Sequence, residues 1–392
     1  MPVVTIVLTL LALLGHAALW VGFVNRAHAV GFSRVITKLL SGCGHMLLML
    51  TPLLALGLWL SSGESLDAWL SQSAHAQLLW LYLIPCWILA LAIVVLWVQR
   101  HWVTTPLAVV LEQRTRLVDV AALLGKKPLA GGRARLLAHV PGNQVLQLAV
   151  DEKQFVLERL PSQLEGFSIT HLTDLHITGR IGVEFFQEVV QQANALRSDM
   201  IVLTGDILDK IELLGWIPQT LAPLSAPLGT YFVLGNHDEY TGAAPRIRQA
   251  LTGVGFTDIG NQWRRLDVAG AEVILAGNEA PWFRPPPDMQ RCPPRSSDRP
   301  QLRLLLAHSP DQWPWARRCD FDLMLAGHTH GGQIRLPLIG PIFAPSMHGV
   351  KYASGTFYAN PTLMHVSRGI SAELPLRINC RPELTKIVLQ SK

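Results

Sequence analysis

Five short polar clusters hold the side chains best suited to chemistry: Asp174-Leu175-His176, Gly205-Asp206, Gly235-Asn236-His237-Asp238, His308, and Gly327-His328-Thr329-His330. Each stands at the end of an apolar run. Together they offer carboxylate, amide and imidazole donors and no thiolate, a set that suits Mn, Fe or Zn better than Ca. A lone Asp-x-His or Gly-Asp is common by chance. The ordered set of five is not. No Gly-x-Ser-x-Gly motif or cysteine arrangement supplies a protein nucleophile.

The elements that must carry these clusters are legible around them. Phe167–Leu172, Met200–Leu203, Tyr231–Leu234, Leu302–Leu306 and Leu323–Leu325 read as buried strands, and Val183–Leu196 and Pro245–Val254 have helical spacing. A β-rich stretch runs from Gln333 to Leu389. Strands alternating with helices predict an α/β layered domain. Ligands in such sheets gather outside the carboxyl ends of the strands, where glycine lets the backbone turn sharply and aim the next side chain.

These motifs resemble the calcineurin-like metallophosphoesterases, and within them the bacterial membrane-anchored, YkuE/YaeI-like branch. The resemblance runs from about Asn143 to the C-terminus and includes Gly331-Gly332-Gln333-Ile334, Tyr352, Val366-Ser367-Arg368-Gly369-Ile370, Pro375, Arg377 and Pro382-Glu383-Leu384. It implies a four-layer α/β/β/α sandwich with two divalent metal ions, Mn foremost and Fe or Zn as alternatives. Asp174, His176 and His330 would hold one ion, Asn236, His308 and His328 the other, and Asp206 would bridge them. Asn278-Glu279 stands where many relatives carry acidic residues before a proline. Two metals roughly 3.5–4 Å apart can activate a bridging hydroxide and clamp phosphoryl oxygens. His237 is expected to face the phosphate and protonate the leaving oxygen, with Asp238 orienting it. Arg368, Arg377 and Gln333 are candidate substrate contacts, since guanidinium forks match phosphate oxygens. His171 reads as a core residue of its strand.

The front of the chain is of another kind. The 392 residues are 49% hydrophobic and only 16% charged, against about 25% charged in a typical soluble domain. Residues 1–100 hold only Arg26, Arg34, Lys38, Arg100, Glu64 and Asp67 as formal charges. Val3–Val24, Leu39–Leu60 and Gln77–Val98 are each long enough to span a bilayer, which takes roughly 20 apolar residues. Trp20, Trp59, Trp80, Trp97 and Trp102 fall near their ends, where aromatic belts sit. The first stretch lacks a basic n-region and a small-residue cleavage site, so it reads as a membrane helix rather than a signal peptide. His16, His28, His45, His75, His101 and His139 read as interfacial or packing residues. Basic residues between the first two stretches and after the third place residues beyond 99 in the cytoplasm by the positive-inside rule; one stretch lying on the membrane surface instead would put them on the other side.

The expected organisation is a transmembrane region over 1–100 with about three helices, a basic juxtamembrane linker over 101–142, and a metallophosphoesterase domain over 143–392. Leu107–Leu124 reads as an amphipathic helix on the membrane surface. The net charge of +5 owes much to Arg100, Arg114, Arg116, Lys126, Lys127, Arg133 and Arg135, a position that fits a bilayer better than nucleic acid. The five cysteines form no CxxC pair, so neither a disulfide framework nor a thiolate zinc site is expected.

The resulting expectation is a multi-pass protein of a bacterial inner membrane with a cytoplasmic catalytic domain. It would hydrolyse a phosphodiester or pyrophosphate, lipid-linked, and Trp282 and Phe283 would form a greasy lip for an acyl chain. The alternatives are a phosphodiesterase of soluble nucleotides and a non-catalytic membrane scaffold.

Overall fold

In hydrocarbon every backbone N–H and C=O must be bonded within its own segment, so long apolar runs become helices. The computed structural model describes residues 2–72, 76–98, 109–295 and 300–392; His75, Arg100, His101 and Trp102 lie outside them. The first compact unit, Met1–Pro106, holds α1 (Pro2–Ala27), α2 (Arg34–Ser62), α3 (Leu66–Gln72) and α4 (Ala76–Val98). Three helical segments, Val3–Ala27, Arg34–Ser62 and Leu79–Val98, are long and apolar enough to cross a membrane. They coincide with the three apolar stretches of the sequence. Gly15 lies so close to the Cys86 backbone that a Cβ would overlap it, the close approach that small residues permit in membrane bundles. The buried His16 is satisfied by the Tyr82 hydroxyl at 2.7 Å and the Leu48 carbonyl at 3.0 Å.

The second unit, Leu107–Lys392, is a layered α/β structure. Its strands in chain order begin with β1 (Val110–Asp119), β2 (Gln147–Leu157), β3 (Ser168–Leu172), β4 (Met200–Thr204), β5 (Thr230–Val233) and β6 (Thr257–Asp258). There follow β7 (Trp263–Val268), β8 (Ala271–Asn278), β9 (Gln301–Ala307), β10 (Leu323–Ala326), β11 (Arg335–Leu336) and β12 (Gly340–Pro341). The last are β13 (Gly355–Ala359), β14 (Thr362–Val366) and β15 (Glu383–Ser391). One sheet has the order β1-β2-β15-β3-β4-β5-β6, the other β13-β14-β10-β9-β8-β7, and β11 and β12 form a small separate ribbon. The helices of this unit are α5 (Val120–Leu124), α6 (Gly132–Leu137), α7 (Val183–Ala195), α8 (Trp216–Leu221), α9 (Asn236–Tyr240), α10 (Ala244–Gly253) and α11 (Trp313–Arg318).

The period of two along each strand builds the layers. Met200 and Val202 face the second sheet with Leu304, Leu306 and Leu325, while Ile201 and Leu203 face α7, α8 and α10 through Phe185, Ile217 and Leu251. On the far side Leu305, Met324 and Met364 pack under Trp313 and Ala316 of α11. The result is the four-layer α/β/β/α sandwich that the motifs imply.

One local expectation is corrected. Most of Leu107–Leu124 is strand β1, paired antiparallel with β2 from Val110↔Phe155 to Asp119↔Gln147; only Val120–Leu124 is helical, capped by the Asp119 carboxylate on Ala122 N at 3.0 Å. Pairing along β2 ties this segment into the sheet, and tertiary pairing overrides local pattern.

Under the sheet edge lies a buried ionic network. Lys153 Nζ is 2.7 Å from Glu383 Oε1 and 3.6 Å from Asp151 Oδ2, and Arg368 closes it with contacts of 3.3 Å to Asp151 and 3.2 Å to Glu383. Removing one partner of a buried charge set strands the others and costs about 3–5 kcal/mol. Lys153→Ala is therefore expected to lower the stability of this unit by about that amount, read from chemical denaturation of the detergent-solubilised chain; an unchanged midpoint would show that water solvates the two carboxylates.

Candidate metal centre

The candidate ligands converge because parallel strands deliver them at one edge. β3, β4 and β5 are parallel neighbours, as are β8, β9 and β10, so the loops after them open on the same side. The loops after β3 and β4 are zipped together by Asp174 N to Gly205 O at 3.0 Å, His176 N to Asp206 O at 2.9 Å and Ile177 N to Ile207 O at 3.0 Å.

Aiming side chains inward here distorts the backbone. Asp174, His176, Asp206, His328 and His330 have φ of 52°, 43°, 53°, 71° and 51°, the left-handed region that costs a non-glycine residue roughly 1–2 kcal/mol. Neighbouring glycines make room. A Cβ on Gly235 would overlap Asp206 Oδ1, and one on Gly327 would overlap Thr173 Oγ1 and Asp174 Oδ2.

The donor atoms fall into two groups that share Asp206. In the first, Asp174, His176, Asp206 and His330 place ligand atoms within 4.8 Å of one another; in the second, Asp206, His308 and His328 do so. Asn236 joins the second group through its Oδ1, 3.1 Å from His308 Nε2. Asp206 Oδ2 is buried without a hydrogen-bond partner, yet stands 3.4 Å from His176 Nε2 and 3.2 Å from His308 Nε2. His176 Nε2 and His330 Nε2 face each other at 3.2 Å. Lone pairs crowded in this way repel unless cations lie among them. The residues present therefore fit a pair of divalent ions, with Asp206 common to both.

The ring nitrogens remote from this centre are tied to the protein, as metal-bound imidazoles require. His308 Nδ1 donates to Thr204 O at 2.8 Å, and His330 Nδ1 to Ser371 O at 3.2 Å. His176 Nδ1 donates to Asp209 Oδ2 at 2.9 Å.

Asp209 was not legible as a functional residue. Its other oxygen, Oδ1, accepts from His237 Nδ1 at 2.6 Å, so one carboxylate orients both a candidate ligand and the candidate proton donor. Burial alone would lower the His237 pKa, but Asp206 and the hydrogen-bonded Asp209 raise it to about 9. Burial opposes ionisation of Asp209, yet His176 and His237 hold its carboxyl well below the usual range. The available signal was its place three residues after Asp206.

The expectation that Asp238 orients His237 is corrected. Asp238 Oδ1 accepts from Ile207 N at 3.0 Å and Leu208 N at 2.9 Å, and Oδ2 from Gly235 N at 2.9 Å. It fastens the Asp206 loop to the Asn236 loop. Adjacent residues of a helix do not face one another, and α9 turns Asp238 away from His237. Glu279, within the doubtful Asn278-Glu279 pair, acts similarly: its Oε1 accepts from Leu234 N at 2.6 Å, and its Oε2 pairs with Arg248 at 2.5 Å.

The three candidate substrate contacts are engaged elsewhere. Arg368 belongs to the buried network with Asp151 and Glu383. Arg377 is fully buried and donates to the carbonyls of Ser371 and His330, bracing the loop that holds His330. Gln333 Nε2 donates to Leu374 O at 2.9 Å and Leu376 O at 3.0 Å. Trp282 does reach the centre, with its ring centroid 4.8 Å from His328 and 5.5 Å from His308. Phe283 instead packs against the helix-side core beneath Arg248, so the expected two-residue lip reduces to Trp282. His171 is fully buried, 2.8 Å from Thr204 Oγ1.

Residues 167–332 match the family described as calcineurin-like phosphoesterase. The chain is 33% identical over 237 residues to the uncharacterized metallophosphoesterase YkuE of Bacillus subtilis, covering 59% of this chain and 82% of that protein. It is 32% identical over 227 residues to the phosphodiesterase YaeI of Escherichia coli, covering 57% and 82%. A transmembrane protein with metallophosphoesterase domain from Danio rerio is 29% identical, covering 62% of this chain and 57% of that protein. Among solved structures, the phosphopantetheinyl hydrolase of Mycobacterium tuberculosis aligns with a TM-score of 0.32 and 11% identity over 55% of this chain and 96% of that one.

Two outcomes test the centre without reference to substrate. Saturating the chain with Mn at about 100 times its dissociation constant is expected to add about 2.7 kcal/mol of stability, seen as a rise in Tm that a chelator reverses. A Tm indifferent to Mn, Fe and Zn would refute the fit. Asp209→Asn leaves His176 poorly oriented and is expected to weaken metal binding about 10–100-fold, measured by metal titration.

Proposed function

This chain belongs to the calcineurin-like metallophosphoesterase family, and from that premise we propose that it is a membrane-anchored, dinuclear-metal hydrolase of a lipid-linked phosphodiester or pyrophosphate. The observation that carries the hydrolytic reading is Asp206 Oδ2, a buried carboxylate oxygen without a hydrogen-bond partner, standing between His176 Nε2 and His308 Nε2. Asp174, His176 and His330 would hold one ion and Asn236, His308 and His328 the other. Bound there, divalent ions supply Lewis acidity toward phosphoryl oxygens and lower the pKa of water to near neutrality.

The remaining work falls to the chain's own groups. His237 keeps 18% side-chain exposure and His330 15%, while Asp174, His176, Asp206 and His308 are buried, so His237 and His330 stand on the open side of the centre. Its Nδ1 proton is held by Asp209, which leaves Nε2 as the nitrogen that gives a proton to the departing oxygen. The hydrogen-bonded Asp209 carboxylate favours the protonated imidazole, which would stabilise a phosphoryl oxygen and then donate. Trp282, against His308 and His328, limits water on the second ion's side.

The lipid-linked part of the reading is supported by the three helices long enough to cross a membrane and by relatives named as transmembrane proteins with a metallophosphoesterase domain. Purified, detergent-solubilised chain with Mn should hydrolyse a chromogenic phosphodiester. In a screen of lipid pyrophosphates, phospholipids and nucleotides it should favour a lipid. Preference for nucleotides would replace the lipid reading with a soluble substrate; inactivity on every ester would leave a scaffold. His237→Ala is expected to lower kcat by about 10²–10⁴-fold while metal content stays at the wild-type level; loss of metal would make His237 structural.

A further inference from the structure

An apolar surface adjoins the centre and is not used by the chemistry above. Directly after the His330 loop, the chain leaves the sandwich as the β11–β12 ribbon and its continuation. Here Ile334, Leu336, Leu338, Ile339, Ile342, Phe343 and Met347 are all exposed, Leu338 at 85% and Ile339 at 57%. Residues 336–350 contain no Asp, Glu, Lys or Arg. Arg335, the one charge at the base, turns inward to Gly331 O at 2.8 Å and Ser354 Oγ at 2.7 Å. The ribbon is held in place: Gly332 meets Pro341 too closely for a Cβ, and Asn379 Nδ2 donates to Arg335 O at 3.0 Å. An exposed apolar cluster on a rigid support marks a contact surface.

Its surroundings say what the contact is. Ile378 bridges to Ile334 on one side and to Asn143 on the other, and Asn143 Nδ2 donates to Leu137 O at the end of α6 at 2.9 Å. α6 and the turn before it expose Lys127, Arg133 and Arg135 beside Leu136, itself 71% exposed. Residues 125–148 include no acid. Lys126 is paired with Glu184 at 2.7 Å, and Glu373 is an exposed acid in the loop between β14 and β15. Aliphatic side chains flanked by basic ones form the surface that enters an anionic bilayer, with the apolar groups below the headgroups and the cations among the phosphates.

We propose that the 334–347 hairpin, with the basic face of α6 beside it, docks the catalytic unit onto an anionic bilayer, so that the metal centre opens at the lipid surface. This deepens the lipid-linked reading and rests on it.

The test uses the full chain in vesicles of phosphatidylethanolamine and phosphatidylglycerol. A fluorophore is attached at Leu338→Cys, with Cys43→Ser and Cys319→Ser to remove accessible thiols, and a control label at Glu158→Cys, beyond the opposite end of β2. Acyl chains brominated near the headgroup should quench the label at 338 and not the one at 158. A label at 338 that stays in water, or one shielded from both water and brominated lipid, would overturn the proposal, the latter assigning the hairpin to a protein partner. In parallel, Leu338→Glu with Ile339→Glu should slow hydrolysis of a vesicle-borne phosphodiester by about tenfold or more, the equivalent of one lost aliphatic burial. Turnover of a soluble chromogenic diester should stay within about twofold, since neither residue touches the centre. Equal losses on both substrates would overturn an interfacial role. If the wild type cleaves soluble diesters but no lipid, the substrate reading fails while quenching still decides the docking.

Discussion

A buried carboxylate that hydrogen bonds do not fully satisfy is the constraint around which the second unit is arranged. Asp206 is 1% exposed; one oxygen accepts from His237 N at 2.8 Å, and the other faces imidazole nitrogens on two sides. A carboxylate out of water without compensation is strongly disfavoured. Cations shared by Asp206 with Asp174 and four histidines would remove that penalty. The same cations would offset the backbone strain of five left-handed residues, of which Asp174, His176 and Asp206 are also held by the zipped loops after β3 and β4. Stability and reactivity thus have one source, because the groups that need ions to remain buried are the groups that would use ions to act on phosphate.

A second layer of carboxylates turns this cluster into a defined geometry. Asp238 ties three backbone N–H groups together and fixes the Asp206 and Asn236 loops to each other. Glu279 bonds Leu234 N and pairs with Arg248, setting the entry to α9. Asp209 divides its two oxygens between His176 and His237, so the orientation of the candidate proton donor is linked to that of a candidate ligand. Arg377 braces the carbonyls of Ser371 and His330, and Ser371 O in turn receives the His330 Nδ1 proton. None of these four need touch substrate, yet each sets the direction of a group that would.

The surfaces of the second unit have a division of their own. The sandwich buries its aliphatic side chains by strict alternation, while the hairpin after His330 exposes them and α6 sets cations beside them. A chain with three helices fit to cross a membrane would have a use for such a surface, since a lipid-borne ester is reached by an enzyme lying against the bilayer rather than by one standing clear of it.

Much of the metal centre could be read from residue order, since each proposed ligand closes an apolar strand and a parallel sheet brings strand ends together whatever the intervening sequence. The layered architecture followed from short buried apolar runs alternating with segments of helical spacing, and the membrane helices from twenty-residue stretches almost free of charge. Relations across space were not legible. Asp238 neighbours His237 in the chain, but helix geometry points them apart and gives the role to Asp209, 28 residues away. The basic segment before β2 alternates like a half-exposed helix, and only the free edge of β2 makes it a strand. Arg368, Arg377 and Gln333 have the chemistry to bind phosphate, yet buried carboxylates and carbonyls claim them. The aliphatic residues of 334–347 look like core in one dimension and stand in the open in three. Sequence determined which groups the protein owns and which elements present them, because those depend on local periodicity; tertiary structure decided which groups meet, because a hydrogen bond or an ion depends on distance in space and not on separation along the chain.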